Sequence, residues 1–278
     1  MPIRLIFSDI DGTLLQSNHQ ISLKTKQAIQ NCKHQGIPFI LVSARMPSGI
    51  FPLQDQLGIR DPLVCYGGAL LLGSAEKEKP RPALSGFPFP AAIVPRLIHF
   101  ISERFPSICV SLYSFDRWIV SNPEDQWIQQ EQRIAGTAFE RHPFDLIESH
   151  SLLPIHKILC MGTPESIKRL QSSLEESAIT ANFHQSKATY LEITEKSATK
   201  SAALRKLCSY YNVNPAETLA FGDNFNDLDM LEAAGIGIAM ANAPEPVQAA
   251  ADRVTTSNDE DGIAKALEQI GLSRIAND

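Results

Sequence analysis

The sequence predicts an α/β protein, a Rossmann-like and mostly parallel sheet core with an α+β domain inserted into it. Three observations carry that prediction. Short, almost wholly apolar runs at residues 3–8, 38–43 and 218–222 alternate with helical patterns at both ends of the chain. Strands apolar on both faces belong to parallel sheets covered by helices. A stretch containing Pro80, Pro82, Pro88, Pro90 and Pro95 then breaks the rhythm, and from Thr199 it resumes. The expected boundaries are 1–83 and 188–278 for two segments of one core domain, and 84–187 for the insertion.

In chain order, the strand at 3–8 gives way to a helix over 23–35, which Ser22 can cap and Gly36 can close. The run at 38–43 is a second buried strand and 62–66 a weaker third. The insertion offers strands at 110–113, 118–120, 156–161, 181–184 and 190–193, with helices at 91–105, 124–135 and 164–177. Its alternating strands suit a sheet covered on one side. The closing segment reads as a helix at 200–211, strand 218–222, helix 228–234, strands 236–240 and 252–255, and a helix at 262–270.

Composition narrows the function classes. A chain of 278 residues with 44% hydrophobic and 20% charged residues has the make-up of ordinary globular domains. A net charge of -6 argues against nucleic acid as the main partner, because phosphate backbones are bound by basic faces. The longest apolar stretch, 63–73, is shorter than the roughly 20 residues that span a bilayer. Cys32, Cys65, Cys109, Cys160 and Cys208 are widely spaced, as reduced buried thiols would be. With no secretory pattern at the N-terminus, these features predict a cytoplasmic protein with no membrane partner.

The chemistry gathers at strand ends. The first run stops in Asp9 and Asp11, the second in Ser43, the third in Asp223. Ligands of open parallel sheets sit outside the carboxyl ends of the strands, so these residues meet at one edge. Asp227, four residues after Asp223, adds a fourth carboxylate. Four acids around one spot repel each other unless a hard cation joins them, and all-oxygen ligands favour Mg²⁺. Lys200, opening a helix, can supply a fixed positive charge. The seven histidines show no metal-binding spacing and no glycine-rich phosphate loop is present.

Asp9-Ile-Asp11-Gly-Thr13, then Leu41-Val-Ser43-Ala-Arg45, Lys200, and Gly222-Asp223-Asn-Phe-Asn-Asp227 resemble the four ordered motifs of haloacid dehalogenase-like phosphatases. The tail from Ala234 through Asn242 to Pro244, with Ser257 to Gly262, resembles the Cof-type branch. That branch carries an αβ cap between its second and third motifs, where the insertion falls. The resemblance implies that Asp9 attacks phosphorus, giving an aspartyl-phosphate, and that Asp11 is the general acid and base. It implies that Ser43 holds a phosphoryl oxygen and that Lys200 neutralises the nucleophile and phosphoryl charge. Asp9, Asp223 and Asp227, with the Asp11 carbonyl, would bind Mg²⁺. Arg45, Asn226, Gly67 and Gly68 fall on the substrate and phosphate side, Asn226 reading equally well as a helix cap.

Some positions depart from the branch. Ser43-Ala44-Arg45 stands for Thr-Gly-Arg, Gly67-Gly68-Ala69 for Asn-Gly-Ala, and Ser197 and Ser201 for glycines flanking the lysine. Within the cap, Arg117, Trp118, Arg133, His142, His184 and Lys187 are able to grip a polar substrate, while Trp118 and Trp127 also read as cap core. Both monomer and homodimer remain open. The expected function is Mg²⁺-dependent hydrolysis of small phosphomonoesters, such as sugar phosphates, pyridoxal phosphate or flavin mononucleotide. The alternatives are a sugar phosphomutase and a non-catalytic phospho-accepting signalling module.

Overall fold

Leu5–Asp9 (β1) is buried at every position and starts the core sheet. The computed structural model describes residues 2–76, 79–144 and 153–272. Ser22 caps the next helix, Leu23–His34 (α1), its side chain accepting the Thr25 N–H. Phe39–Val42 (β2) is again wholly buried, and Phe51–Leu57 (α2) ends on Gly58 in the left-handed conformation. The apolar stretch at 63–73 is no single element: it is the hairpin of Leu63–Cys65 (β3) and Leu70–Leu72 (β4). Tyr66, Gly67 and Gly68 all take positive φ at its turn. Ala83–Gly86 (β5) forms the last strand on that side.

Ile93–Arg104 (α3), Cys109–Ser114 (β6), Arg117–Val120 (β7), Gln126–Ala135 (α4) and Glu140–Arg141 (β8) come next. They are followed by Lys157–Met161 (β9), Pro164–Glu175 (α5), Ala181–Lys187 (β10) and Tyr190–Glu195 (β11). The second sheet runs β10-β11-β9-β6-β7-β8. Val94, Leu97 and Ile101 of α3 and Ile167, Leu170 and Leu174 of α5 join Leu112, Ile158 and Ile193 of the sheet in one apolar core. The opposite parity is more polar: Tyr113 stands level with Lys157, and Lys157 with Thr194.

The chain divides into one unit of Met1–Arg45, Ile50–Ser85 and Thr199–Asp278 and another of Met46–Gly49 and Gly86–Ala198. The insertion therefore does not end at 187. β11 pairs antiparallel with both β9 and β10, so its hydrogen bonds and the apolar Ile193 commit it to the inserted sheet. At the other end β5 belongs to the core sheet, which moves the exit from 83 to Ser85.

The core resumes with Lys200–Tyr211 (α6), Thr218–Gly222 (β12), Leu228–Ala233 (α7), Ile236–Ala239 (β13), Glu245–Ala250 (α8), Arg253–Val254 (β14) and Gly262–Gln269 (α9). The eight strands run β14-β13-β12-β1-β2-β3-β4-β5, with β1 parallel to β2 and β12 and the β3–β4 pair antiparallel. Asp9 stands level with Val42, and Ser8 with Phe221. That register brings Asp9, Ser43 and Asp223 out at the same carboxyl edge. All five cysteines are buried and unbridged. No helix among the described residues is long and apolar enough to cross a membrane.

Candidate active site

β1, β12 and the start of α6 deliver the central residues. Lys200 is 2% exposed, and its Nζ donates to Asp9 Oδ1 and to Asp227 Oδ1, each at 2.5 Å. Asp227 is fully buried, and its Oδ2 accepts the backbone N–H groups of Asp223 and Asn224 at 3.0 Å. Asp223 Oδ1 accepts the Thr13 hydroxyl at 2.7 Å. One carboxylate oxygen from each of Asp9, Asp223 and Asp227 lies within 4.8 Å of the others.

Lys200 is placed by what precedes it. Thr199 caps α6, its Oγ1 accepting the Ala202 N–H at 3.1 Å, and Asp229 Oδ2 accepts the Ser201 N–H at 2.9 Å. Gly68, at φ +114°, lets the β3–β4 turn lie directly on this cap: a Cβ there would sit 2.2 Å from the Thr199 carbonyl oxygen. Gly68 thus supports the lysine through its backbone approach. Gly67 donates its N–H to the Ser43 carbonyl, which ties the β3–β4 turn to the Ser43 loop.

Gly12 meets the same demand on the other side. It takes φ +85°, and a Cβ would lie 2.3 Å from Asp223 Oδ2. Gly12→Ala should displace either the turn or Asp223, and shifts near 1 Å in such sites cost about 100-fold in rate. Steady-state kcat alongside thermal melting checks this; a variant with normal kcat would show that the turn yields freely.

Electrostatically the site is overloaded with acid. Burial, and then the charges of Asp227 and Asp223, hold the Asp9 carboxyl well above the usual carboxylate range despite Lys200. Burial also pushes Asp223 up to about 6, against the pull of the Thr13 hydrogen bond. For Lys200, burial works against the charge, but Asp227 and Asp9 outweigh it and its pKa stands above the ordinary lysine range.

Three carboxylates meet, not four. The Asp11 side chain lies past the strand end, half exposed, and both its oxygens are taken by Arg45, Nη2 to Oδ1 at 2.5 Å and Nε to Oδ2 at 2.9 Å. Arg45, expected on the phosphate side, is paired with Asp11. The helix-capping reading of Asn226 falls to Asn224, which forms a reciprocal capping box with Asp227, three residues on. Asn226 is half-buried in that turn. Ser43 is 2% exposed, and its Oγ accepts the Arg45 N–H at 3.1 Å.

Thr13 and Asp229 were not singled out from the sequence. A hydroxyl directly after Gly12 was the available signal for the first. For the second nothing local points to Ser201, 28 residues away. In the inserted unit Arg117 forks onto Glu140, Lys187 lies 4.5 Å over the Tyr190 ring, Arg133 is exposed and His142 is half-buried. Trp118 is buried core stacked on Tyr113, Trp127 is half-buried, and His184 stands opposite Glu192. Burial lowers His156 to about 4, which keeps it neutral.

The profile of the haloacid dehalogenase-like hydrolase family matches residues 6–267. A Haemophilus influenzae protein bearing only a provisional phosphatase name is 39% identical over 269 residues, 97% of this chain and 98% of that one. The Escherichia coli pyridoxal phosphate phosphatase YbhA is 27% identical over 273 residues, covering 96% and 98% of the two chains. A solved haloacid dehalogenase-like hydrolase from Bacteroides thetaiotaomicron superposes with a TM-score of 0.83 at 30% identity, over 96% of this chain and 99% of that one. With the strand-end acids and buried lysine in place, this chain belongs to the haloacid dehalogenase-like hydrolase family, among its phosphatases.

Proposed function

We propose that the protein is a Mg²⁺-dependent phosphatase that hydrolyses small phosphomonoesters, sugar phosphates or phosphorylated cofactors, through an aspartyl-phosphate at Asp9. The observation that carries this reading is the buried Asp9–Lys200–Asp227 arrangement with Asp223 alongside. Three carboxylates share one ammonium, and the two negative charges left over are costly in so dry a site without a bound cation. The donors are all carboxylate oxygens, which fits Mg²⁺. Asp9, Asp223 and Asp227, with the Asp11 carbonyl, would hold the ion, which would supply positive charge to the phosphoryl oxygens.

The chain's own residues then divide the work. Lys200 occupies Oδ1 of Asp9, leaving the other oxygen to attack phosphorus as the bond to the ester oxygen breaks. Asp11, freed from the Arg45 fork and protonated, would give its proton to the departing alkoxide. It next takes one from the water that attacks the acyl phosphate, the bond to Asp9 breaks, and inorganic phosphate leaves. Arg45 positions the ionised Asp11 carboxylate, the form that takes the proton from water in the second step. Ser43 and Asn226 serve as partners for the phosphoryl group, and the inserted unit is the part assigned to selecting the leaving group. The E. coli relative supports a phosphorylated cofactor as substrate. Five buried cysteines outside any disulfide support a reducing cytoplasmic setting.

The test is phosphate release from a panel of phosphosugars, pyridoxal phosphate, flavin mononucleotide and nucleotides. Turnover should vanish in chelator and return with Mg²⁺; undiminished release in chelator overturns the metal assignment. Because Asp223 takes up its proton near pH 6, proton and metal compete below that value. The Mg²⁺ concentration giving half-maximal rate should therefore rise as pH falls from 7 to 5.

A further inference from the structure

Polar side chains of the C-terminal core loops grip the turn that follows the first two acids. Asn242 Nδ2 donates to the Gly12 carbonyl at 2.8 Å. Asn258 Nδ2 donates to the Leu15 carbonyl at 2.8 Å, and the Asn258 N–H donates to Asn242 Oδ1 at 3.1 Å, which couples the two amides. Asp259 accepts the Ser17 N–H at 2.8 Å and the Ser17 hydroxyl at 2.6 Å. Gln16 Nε2 reaches the Asp259 carbonyl at 3.3 Å.

The gripping loop is itself braced. Ser257 and Glu260 form a reciprocal capping box, and the Thr255 hydroxyl donates to the Gly262 carbonyl at 2.8 Å. Gly262 lies so close beneath that a Cβ would be 2.2 Å from the Thr256 carbonyl oxygen. The turn being held closes through the Leu15 N–H to the Ile10 carbonyl at 2.9 Å. Between those two residues lie Asp11, Gly12 against Asp223, and Thr13 bonded to Asp223. These contacts use neither Lys200 nor the carboxylate oxygens of Asp9 and Asp227.

We propose that Asn242, with Asn258 and Asp259, is a positioning clamp for phosphoryl transfer, fixing the 12–17 turn so that Asp11 meets the reacting group and Thr13 meets Asp223 in one geometry. The proposal rests on the phosphatase reading of the site. The loop residues touch no reacting atom; they act by removing freedom from the turn that directly follows Asp11 and sets Thr13 against Asp223.

Asn242→Asp tests it, because the substitution is isosteric, keeps an acceptor for the Asn258 N–H, and deletes the donor to Gly12. Asn242→Ala deletes both contacts without adding charge. Both should lower kcat about 10- to 100-fold, with KM and melting temperature near wild type and faster hydrogen exchange confined to residues 10–17. Asp259→Asn, which keeps an acceptor for Ser17, should retain near-wild-type kcat where Asp259→Ala does not. Unchanged exchange at 10–17 in the Asn242 variants overturns the clamp, whatever the activity. Loosened exchange with normal kcat overturns its catalytic role. A kcat loss that merely tracks a fall in melting temperature assigns the residues to stability alone and also overturns it. Wild-type protein that releases no phosphate from any ester removes the phosphatase reading, and the clamp's catalytic role with it.

Discussion

Asp9→Asn is expected to lower kcat by about 10⁴- to 10⁶-fold, the range seen when a catalytic nucleophile is deleted, while the folded protein survives. The amide is nearly the same size as the carboxylate, and its Oδ1 can still accept from Lys200 Nζ, which reaches that atom at 2.5 Å. What goes is the anionic oxygen that attacks phosphorus. The sign of the stability change follows from the carboxyl it replaces. Asp9 is buried and its pKa is raised, so the folded state holds a proton that the unfolded chain gives up above about pH 4. Stability from this group is therefore present at low pH and is lost as pH rises through the folded pKa. At neutral pH the ionised carboxylate opposes folding, and asparagine removes that cost. Without added metal, Asp9→Asn should melt at or above the wild-type temperature; a lower melting temperature would mean that the Asp9–Lys200 attraction exceeds the burial penalty. Kinetics on the best substrate of the panel and melting in chelator measure the two halves independently.

How much of this was legible in the sequence depends on whether the determining contacts are local. The runs ending in Asp9, Ser43 and Asp223 could be placed because a buried parallel strand leaves an unbroken apolar signature, and parallel register then carries the three ends to one edge. Lys200 was legible as the one fixed charge that an acid cluster needs. The four-acid cluster was not correct, because the sequence does not show that Arg45 draws the Asp11 side chain out of it. The end of the insertion was missed for a similar reason: β11 lies close to the returning core in sequence, and only its pairing with β9 and β10 assigns it. Gly67 and Gly68 looked like a lost side chain at a substrate entrance. Their reason is backbone proximity, to Ser43 in one case and Thr199 in the other. Asn242, Asn258 and Asp259 stood in the sequence as family resemblance without a physical role, since their partners lie more than 200 residues earlier.

Lys200→Met tests the opposite side of the same balance and should damage both folding and chemistry. Methionine fills much of the lysine volume, so packing loss is small and the charge is what disappears. Asp9 is 7% exposed and Asp227 fully buried, so removing their shared partner leaves two carboxylates facing each other out of water. Breaking a buried pair in this way costs about 3–5 kcal/mol. The damage has a pH signature. Loss of the ammonium pushes the buried carboxyls further up, and the folded variant relieves their repulsion by taking up protons. The deficit should then grow as pH rises through those raised values and shrink toward pH 4, where protonated carboxyls need no counterion. Added Mg²⁺ should recover part of the melting temperature at pH 8, because the cation replaces the missing positive charge. It should not recover turnover, since Lys200 also fixes which oxygen of Asp9 is free and offsets charge on the transferring group; loss of such a preorganised donor costs about 10²- to 10³-fold. A Lys200→Met protein that melts like wild type in chelator at pH 8 would show that one of the two carboxyls is already protonated in the native site, and the ion-pair description of the centre would have to be replaced.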